Sequence, residues 1–204
     1  MPLIAVDTET GGLDARLHPL LSITLVELDE DLAPKRTLDL YIKPYPDKEI
    51  TPDAARINGY TPERWAEKGA VNLYAAMSEI ARWMPRNSEA LAHNAGFDKA
   101  FVDEAERLSG TRTWLHPRWR CSMVTFLAVN DALRLGAPNA RLETLATMSG
   151  HWAPDRVRGA HASLDDALAC AAGYRWLLDC IRRGADRVTT PAAEPKQQQI
   201  GGVA

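Results

Sequence analysis

Every position from Leu3 to Val6 is apolar, so a strand there carries apolar side chains on both faces and belongs inside a sheet covered from both sides. Asp7 and Glu9 follow where that run stops, which places them at a strand end. Residues 21–28 are again strand-like, and over 37–42 Leu38, Leu40 and Ile42 alternate with Thr37, Asp39 and Tyr41. Short polar links between these three predict an antiparallel meander. Helix signals then take over. Thr51-Pro52-Asp53 and Thr61-Pro62-Glu63 each set a capping hydroxyl before a first-turn proline and an acid, predicting two short helices. Leu73, Ala76, Met77, Ile80, Trp83 and Met84 recur at three- and four-residue steps up to Pro85, the mark of an amphipathic helix. Residues 90–93 read as a buried strand. Phe97, Ala100, Phe101, Ala105 and Leu108 share one face of a helix ending at Gly110. Trp119 enters a further strand, and helices are expected near 122–134, 141–149 and 163–183. Strands first, then strands alternating with helices, indicate an α/β fold with a mixed five-stranded sheet flanked by helices.

Composition narrows the function classes. The chain has 204 residues, 46% of them hydrophobic, enough for a core that needs neither disulfides nor structural zinc. Cys121, Cys170 and Cys180 form no Cys-x-x-Cys pair, which excludes zinc ribbons and dithiol redox motifs and suits a reducing compartment. No apolar run approaches the roughly 18 residues of a membrane span, so a soluble, cytoplasmic protein without a membrane partner is expected. The formal net charge is −3, so bulk charge will not hold nucleic acid and any such contact must be local. Residues 1–188 read as one domain. From 189 to 204 there is no periodicity and Glu194 and Lys196 are the only charges, so this stretch reads as a disordered tail.

Three segments carry candidate chemistry. In Asp7-Thr8-Glu9-Thr10-Gly11-Gly12-Leu13 the two carboxylates stand at i and i+2 of a strand and project from one face, as a hard divalent cation with oxygen ligands requires; an ordinary polar turn is the alternative. In His93-Asn94-Ala95-Gly96-Phe97-Asp98 the acid stands in the first turn of a helix, which its dipole favours with or without a ligand, and His93 reads as structural support. In His161-Ala162-Ser163-Leu164-Asp165-Asp166, Ser163 is a candidate cap. Asp166 shares a helix face with Cys170 and Gly173, small neighbours that let it approach the sheet, while Asp165 points to solvent.

The order and spacing of these segments resembles the DEDDh branch of the DnaQ-like 3′–5′ exonucleases, a family that includes the proofreading subunit of bacterial DNA polymerase III, exonuclease X, ribonuclease T and oligoribonuclease. The resemblance runs from about Leu3 to Leu178. It takes in Arg56-Ile57-Asn58-Gly59-Tyr60-Thr61, similar to the family's Val-His-Gly-Ile-Thr segment, and Cys121-Ser122-Met123, similar to Cys-Thr-Met of exonuclease X. It implies a ribonuclease H-like fold. Asp7, Glu9, Asp98 and Asp166 would hold two Mg²⁺ or Mn²⁺ ions, with His161 as general base, in hydrolysis of nucleic acid from its 3′ end to nucleoside 5′-monophosphates. DNA is the expected substrate and RNA the alternative; a catalytically silent binding module is a third reading.

For the terminal nucleotide the same resemblance points to Thr8, to the backbone of Thr10 and Gly11, to Leu13 as a wedge, and to Phe97, whose helix position fits core packing equally well. Asn58 stands where several relatives have histidine. Arg156 and Arg158, just before His161, are candidates for upstream phosphates, and Arg112 and Trp114 for stacking and phosphate contact with single strands. Partners would be single-stranded nucleic acid or the 3′ ends of duplexes, with a polymerase, a sliding clamp or a second copy of the chain as further candidates. Two bound divalent cations would bring the formal charge to about +1.

Overall fold

The structure, a computed structural model, describes residues 1–152 and 163–189. The expected tail therefore lies, Thr189 apart, outside the described residues, as do Arg156, Arg158 and His161.

Five strands form one sheet: β1 (Leu3–Thr10), β2 (Leu20–Leu28), β3 (Pro34–Tyr41), β4 (Ser88–Ala92) and β5 (Leu115–Cys121). Their spatial order is β3-β2-β1-β4-β5. The first three make the expected antiparallel meander. β4 and β5 run parallel to β1, which requires crossovers. The first crossover carries α1 (Pro52–Asn58), α2 (Pro62–Glu67) and α3 (Leu73–Trp83), the second α4 (Ala95–Ser109). After β5 come α5 (Ser122–Leu133), α6 (Leu142–Met148) and α7 (Ser163–Thr189). The mixed five-stranded sheet flanked by helices is thus as expected.

Local chemistry sets the boundaries. Thr51 and Thr61 cap α1 and α2, their hydroxyls accepting from the amides of Ala54 and Arg64, with proline as the first helical residue in each. Gly110 ends α4 in the left-handed region, φ 68°. Two boundaries differ from expectation. β1 does not stop at Val6: Asp7 to Thr10 keep pairing with β2, so the acids lie on the strand itself. β5 was marked by Trp119 alone, because its half-exposed pattern and Pro117 suit only a sheet edge. The opposite edge, β3, is guarded by Pro34, Lys35 and Arg36; Arg36 stacks over Trp83 and pairs with Glu27.

The two faces of the sheet bury separate cores. On one, Ile4, Val6, Ile23 and Leu25 pack with Met77 and Ile80 of α3 and Phe101 and Val102 of α4. On the other, Leu3, Ala5, Val26 and Leu91 pack with Ala167, Cys170, Ala171 and Tyr174 of α7 and Leu142 and Ala146 of α6. Gly173 of α7 does not make room for the sheet, as its small size suggested. A β-carbon there would lie 2.5 Å from Leu145 Cγ of α6, so the glycine admits the neighbouring helix. Among the described residues no helix is long and apolar enough to cross a membrane.

Candidate active site

Alternation along β1 builds the site. Ile4 and Val6 face α3 and α4, whereas Leu3 and Ala5 face α7. Continued past Val6, the same parity sends Asp7 toward α7 and Thr8 toward α4. Asp7, Glu9 and Asp166 of α7 accordingly bring one carboxylate oxygen each within 4.8 Å of one another. Thr8 Oγ1 donates to Asp98 Oδ1 of α4 at 2.8 Å. Acids held by opposite faces of the sheet therefore meet at the ends of the parallel strands, where Asp7, Asp98 and Asp166 line one cleft of about 490 Å³. Asp165, beside Asp166 on α7, is exposed as expected.

Electrostatics favours a cation here. Glu9 is 9% exposed, Asp98 6% and Asp166 5%, so carboxyl groups gather where little water can screen charge on them. Burial pushes the Asp98 carboxyl up to about 7, against the Thr8 hydroxyl bond, which favours the ionised form. The donor set is all oxygen and suits a hard ion such as Mg²⁺ or Mn²⁺. Cys170 is no competitor. Burial pushes its thiol up, and Asp7 and Asp98 push it further, so it stays protonated and packs against Ser122.

His93 supports the cleft. The Ala140 carbonyl can only accept, so the His93 Nε2 bonded to it at 2.9 Å carries the proton, and Nδ1 accepts from the Ser122 hydroxyl. The bond to Ala140 draws the segment before α6 inward. Arg141 and Glu143 thereby line the cleft, two charged residues with no local sequence signal to mark them.

A second hollow of about 690 Å³ adjoins the first through shared walls, Thr8 and Phe97. Leu13, 87% exposed, stands at its rim, and Glu9, Thr10, Gly12, His18, Thr51, Asp53, Ala54, Arg56, Ile57 and Asn58 complete it. Phe97 packs its ring on Phe101, 5.0 Å between centroids, and lines both hollows. Other expected site residues are tied down by hydrogen bonds within the chain. Thr8 spends its hydroxyl on Asp98, and Thr10 spends its own on the Gly12 carbonyl. Gly11 donates its N–H to Pro19 O and accepts from Thr51 N, so its backbone ties loops together. Its hydrogen atom is what lets Pro19 approach, since a β-carbon would lie 2.5 Å from Pro19 Cδ. Asn58 is 3% exposed and donates to Thr10 O while accepting from Tyr60 N, which fixes the end of α1 against β1. Arg112 and Trp114 line neither hollow. They share a third, of about 300 Å³, with Arg86, which lies over the Trp114 ring.

Comparison with known proteins agrees with this geometry. Exonuclease I of Escherichia coli in complex with a dT13 oligonucleotide superposes with a TM-score of 0.75 at 22% identity, over 93% of this chain and 43% of that one. Exonuclease I from Methylocaldum szegediense gives 0.71 at 22%, over 92% and 41%. These likenesses show the ribonuclease H-like fold. In sequence, ribonuclease T of Escherichia coli strain K12 is 33% identical over 127 residues, 56% of this chain and 59% of the relative, as is that of Shigella boydii. The chain thus matches little more than half the length of these relatives. A family model described as RNase_T, exonuclease, matches residues 4–174, from β1 into α7, and the chain belongs to that DnaQ-like exonuclease family.

Proposed function

We propose that this protein is a divalent-metal-dependent 3′–5′ exonuclease that releases nucleoside 5′-monophosphates from single-stranded nucleic acid, DNA in preference to RNA. The observation that carries the reading is the convergence of Asp7, Glu9 and Asp166 within 4.8 Å, with Asp98 reached through Thr8, beside a hollow walled by Leu13 and Phe97. Asp7, Glu9, Asp98 and Asp166 would hold two Mg²⁺ or Mn²⁺ ions. Such ions, when bound, neutralise charge that develops on the phosphoryl oxygens. Leu13 and Phe97 take the terminal base between apolar surfaces, and Asn58 and Gly11 hold the backbone that shapes the hollow. His161 stands five residues before Asp166, and as an imidazole, a group suited to general-base work near neutral pH, it takes the proton of the attacking water. Arg156 and Arg158 contact phosphates upstream. Exonuclease I bound to dT13 supports DNA as substrate; the ribonuclease T relatives at 33% identity support RNA ends as the second reading. Cytoplasmic residence, a homodimer, and a polymerase or clamp as partner are further proposals from the sequence.

The test is digestion of 5′-labelled single-stranded DNA and RNA with Mg²⁺ or Mn²⁺, alongside Asp7→Ala and His161→Ala. A ladder shortening from the 3′ end is expected, with each variant slowed roughly a hundredfold or more. Absence of mononucleotide product from the wild type, or full activity in both variants, rejects the reading.

A further inference from the structure

The loop of residues 11–19, which carries Leu13 to the rim of the larger hollow, is held by one buried cation. Lys48, on the segment between β3 and α1, has a side chain only 7% exposed. Its ammonium donates to the carbonyls of Ala15, at 2.9 Å, and Arg16, and to Glu104 Oε1 of α4, at 2.8 Å. Three donors meet three acceptors, so the charge is fully used and the arrangement has one geometry. Glu104 is locked in turn. Arg107 bonds both of its oxygens, at 2.7 and 2.8 Å, and these partners hold its carboxyl down at about 2. The acceptors on the loop lie two and three residues after Leu13. Glu104 lies seven residues after Phe97 on α4, about 10 Å along the axis. Lys48 therefore bridges the element that carries one wall of the hollow to the element that carries the other.

We propose that Lys48, braced by Glu104, is a positioning residue that fixes the separation of Leu13 and Phe97 and so sets affinity for the 3′-terminal nucleotide. This rests on the exonuclease reading but assigns a residue which that reading does not use. Lys48 lines neither the carboxylate cleft nor the hollow itself, so its loss should act on binding and spare the chemical step. Other bonds hold the ends of the loop, Gly11 N to Pro19 O and Glu49 N to Leu17 O, so the chain remains closed without the strut.

The experiment compares wild type, Lys48→Met, which keeps most of the buried volume, and Glu104→Gln, which keeps an oxygen acceptor for Lys48. Steady-state digestion of a 5′-labelled dT oligonucleotide is measured with hydrogen exchange at Leu17 and His18, whose amides bond Asp14 O within the loop. Lys48→Met is expected to raise KM roughly five- to tenfold with kcat within about twofold, and Glu104→Gln to change KM in the same direction by less. The two loop amides should exchange faster in Lys48→Met. An unchanged KM in both variants, or a fall in kcat at constant KM, overturns the assignment. An inactive wild type overturns the exonuclease reading instead, and unchanged exchange in Lys48→Met would then still reject the strut.

Discussion

Thr8 shows how much one side chain contributes in this site. It lies between two metal-type acids in sequence, yet its hydroxyl reaches across to Asp98 and holds a carboxylate whose charged form burial opposes. Replacement by valine keeps the shape and removes the donor. Thr8→Val is expected to raise the Mg²⁺ concentration needed for half-maximal activity by roughly tenfold, while Thr8→Ser stays near wild type. A metal titration of both variants checks this. Equal titrations for Thr8→Val and wild type would remove Thr8 from the support of Asp98. The sequence marks Asp7, Glu9, Asp98 and Asp166 because carboxylates at fixed places on a strand and on two helix starts leave a pattern. It does not mark the tasks of Thr8, Gly11 and Asn58. Those are hydrogen bonds over 90, 8 and 48 positions of chain, set by how elements dock.

Packing between elements decides where the fourth acid stands. Asp166 reaches the cluster because α7 lies against β1 and α6 lies against α7, and the second contact depends on Gly173. Leu145 is fully buried and cannot step aside freely. Gly173→Ala is expected to lower unfolding free energy by about 1–3 kcal/mol through overpacking. Leu145→Ala should cost about 2–5 kcal/mol through a cavity. The double variant should lose clearly less than the two together, since the added methyl enters the vacated space. Chemical denaturation of all three gives the coupling, and strict additivity would mean that the two residues do not meet. The helices were legible because three- and four-residue periodicity survives any docking; the extent of β1 was not. Its acids break the apolar run, and only the β2 backbone alongside extends the strand through Thr10. Arg112 and Trp114 illustrate the same limit: interleaved arginine and tryptophan leave a pattern in the sequence, but topology decides that they line a hollow apart from the carboxylates.

At the scale of the whole molecule, acid stability has an identifiable contribution. Glu104 titrates near 2 in the folded chain, below the 4.5 expected of a free glutamate, chiefly because Arg107 bonds its ionised form. A depressed carboxyl stabilises the fold above its unfolded value, and that stabilisation fades as pH falls from about 4.5 toward 2. Urea midpoints of wild type and Glu104→Gln should therefore differ at pH 6 and converge through that window. A constant gap down to pH 2.5 would assign the difference to packing alone. The net charge of −3 also takes on a definite place, since Asp7, Glu9 and Asp166 converge at one end of the sheet and Asp98 lines the same cleft, so electrostatic attraction for a polyanion there depends on bound cations.

The placement of those acids along the chain bears on the order in which the cluster is assembled. Asp7 and Glu9 leave the ribosome first, Asp98 midway, and Asp166 only with α7, the last of the described elements. A nascent chain short of residue 163 lacks the helix that packs Ala167, Cys170 and Ala171 on one face of the sheet, and lacks the carboxylate that completes the acidic cluster. The acidic cluster is therefore completed only after Asp166 has been made, by an element far along the chain from the strand that begins it.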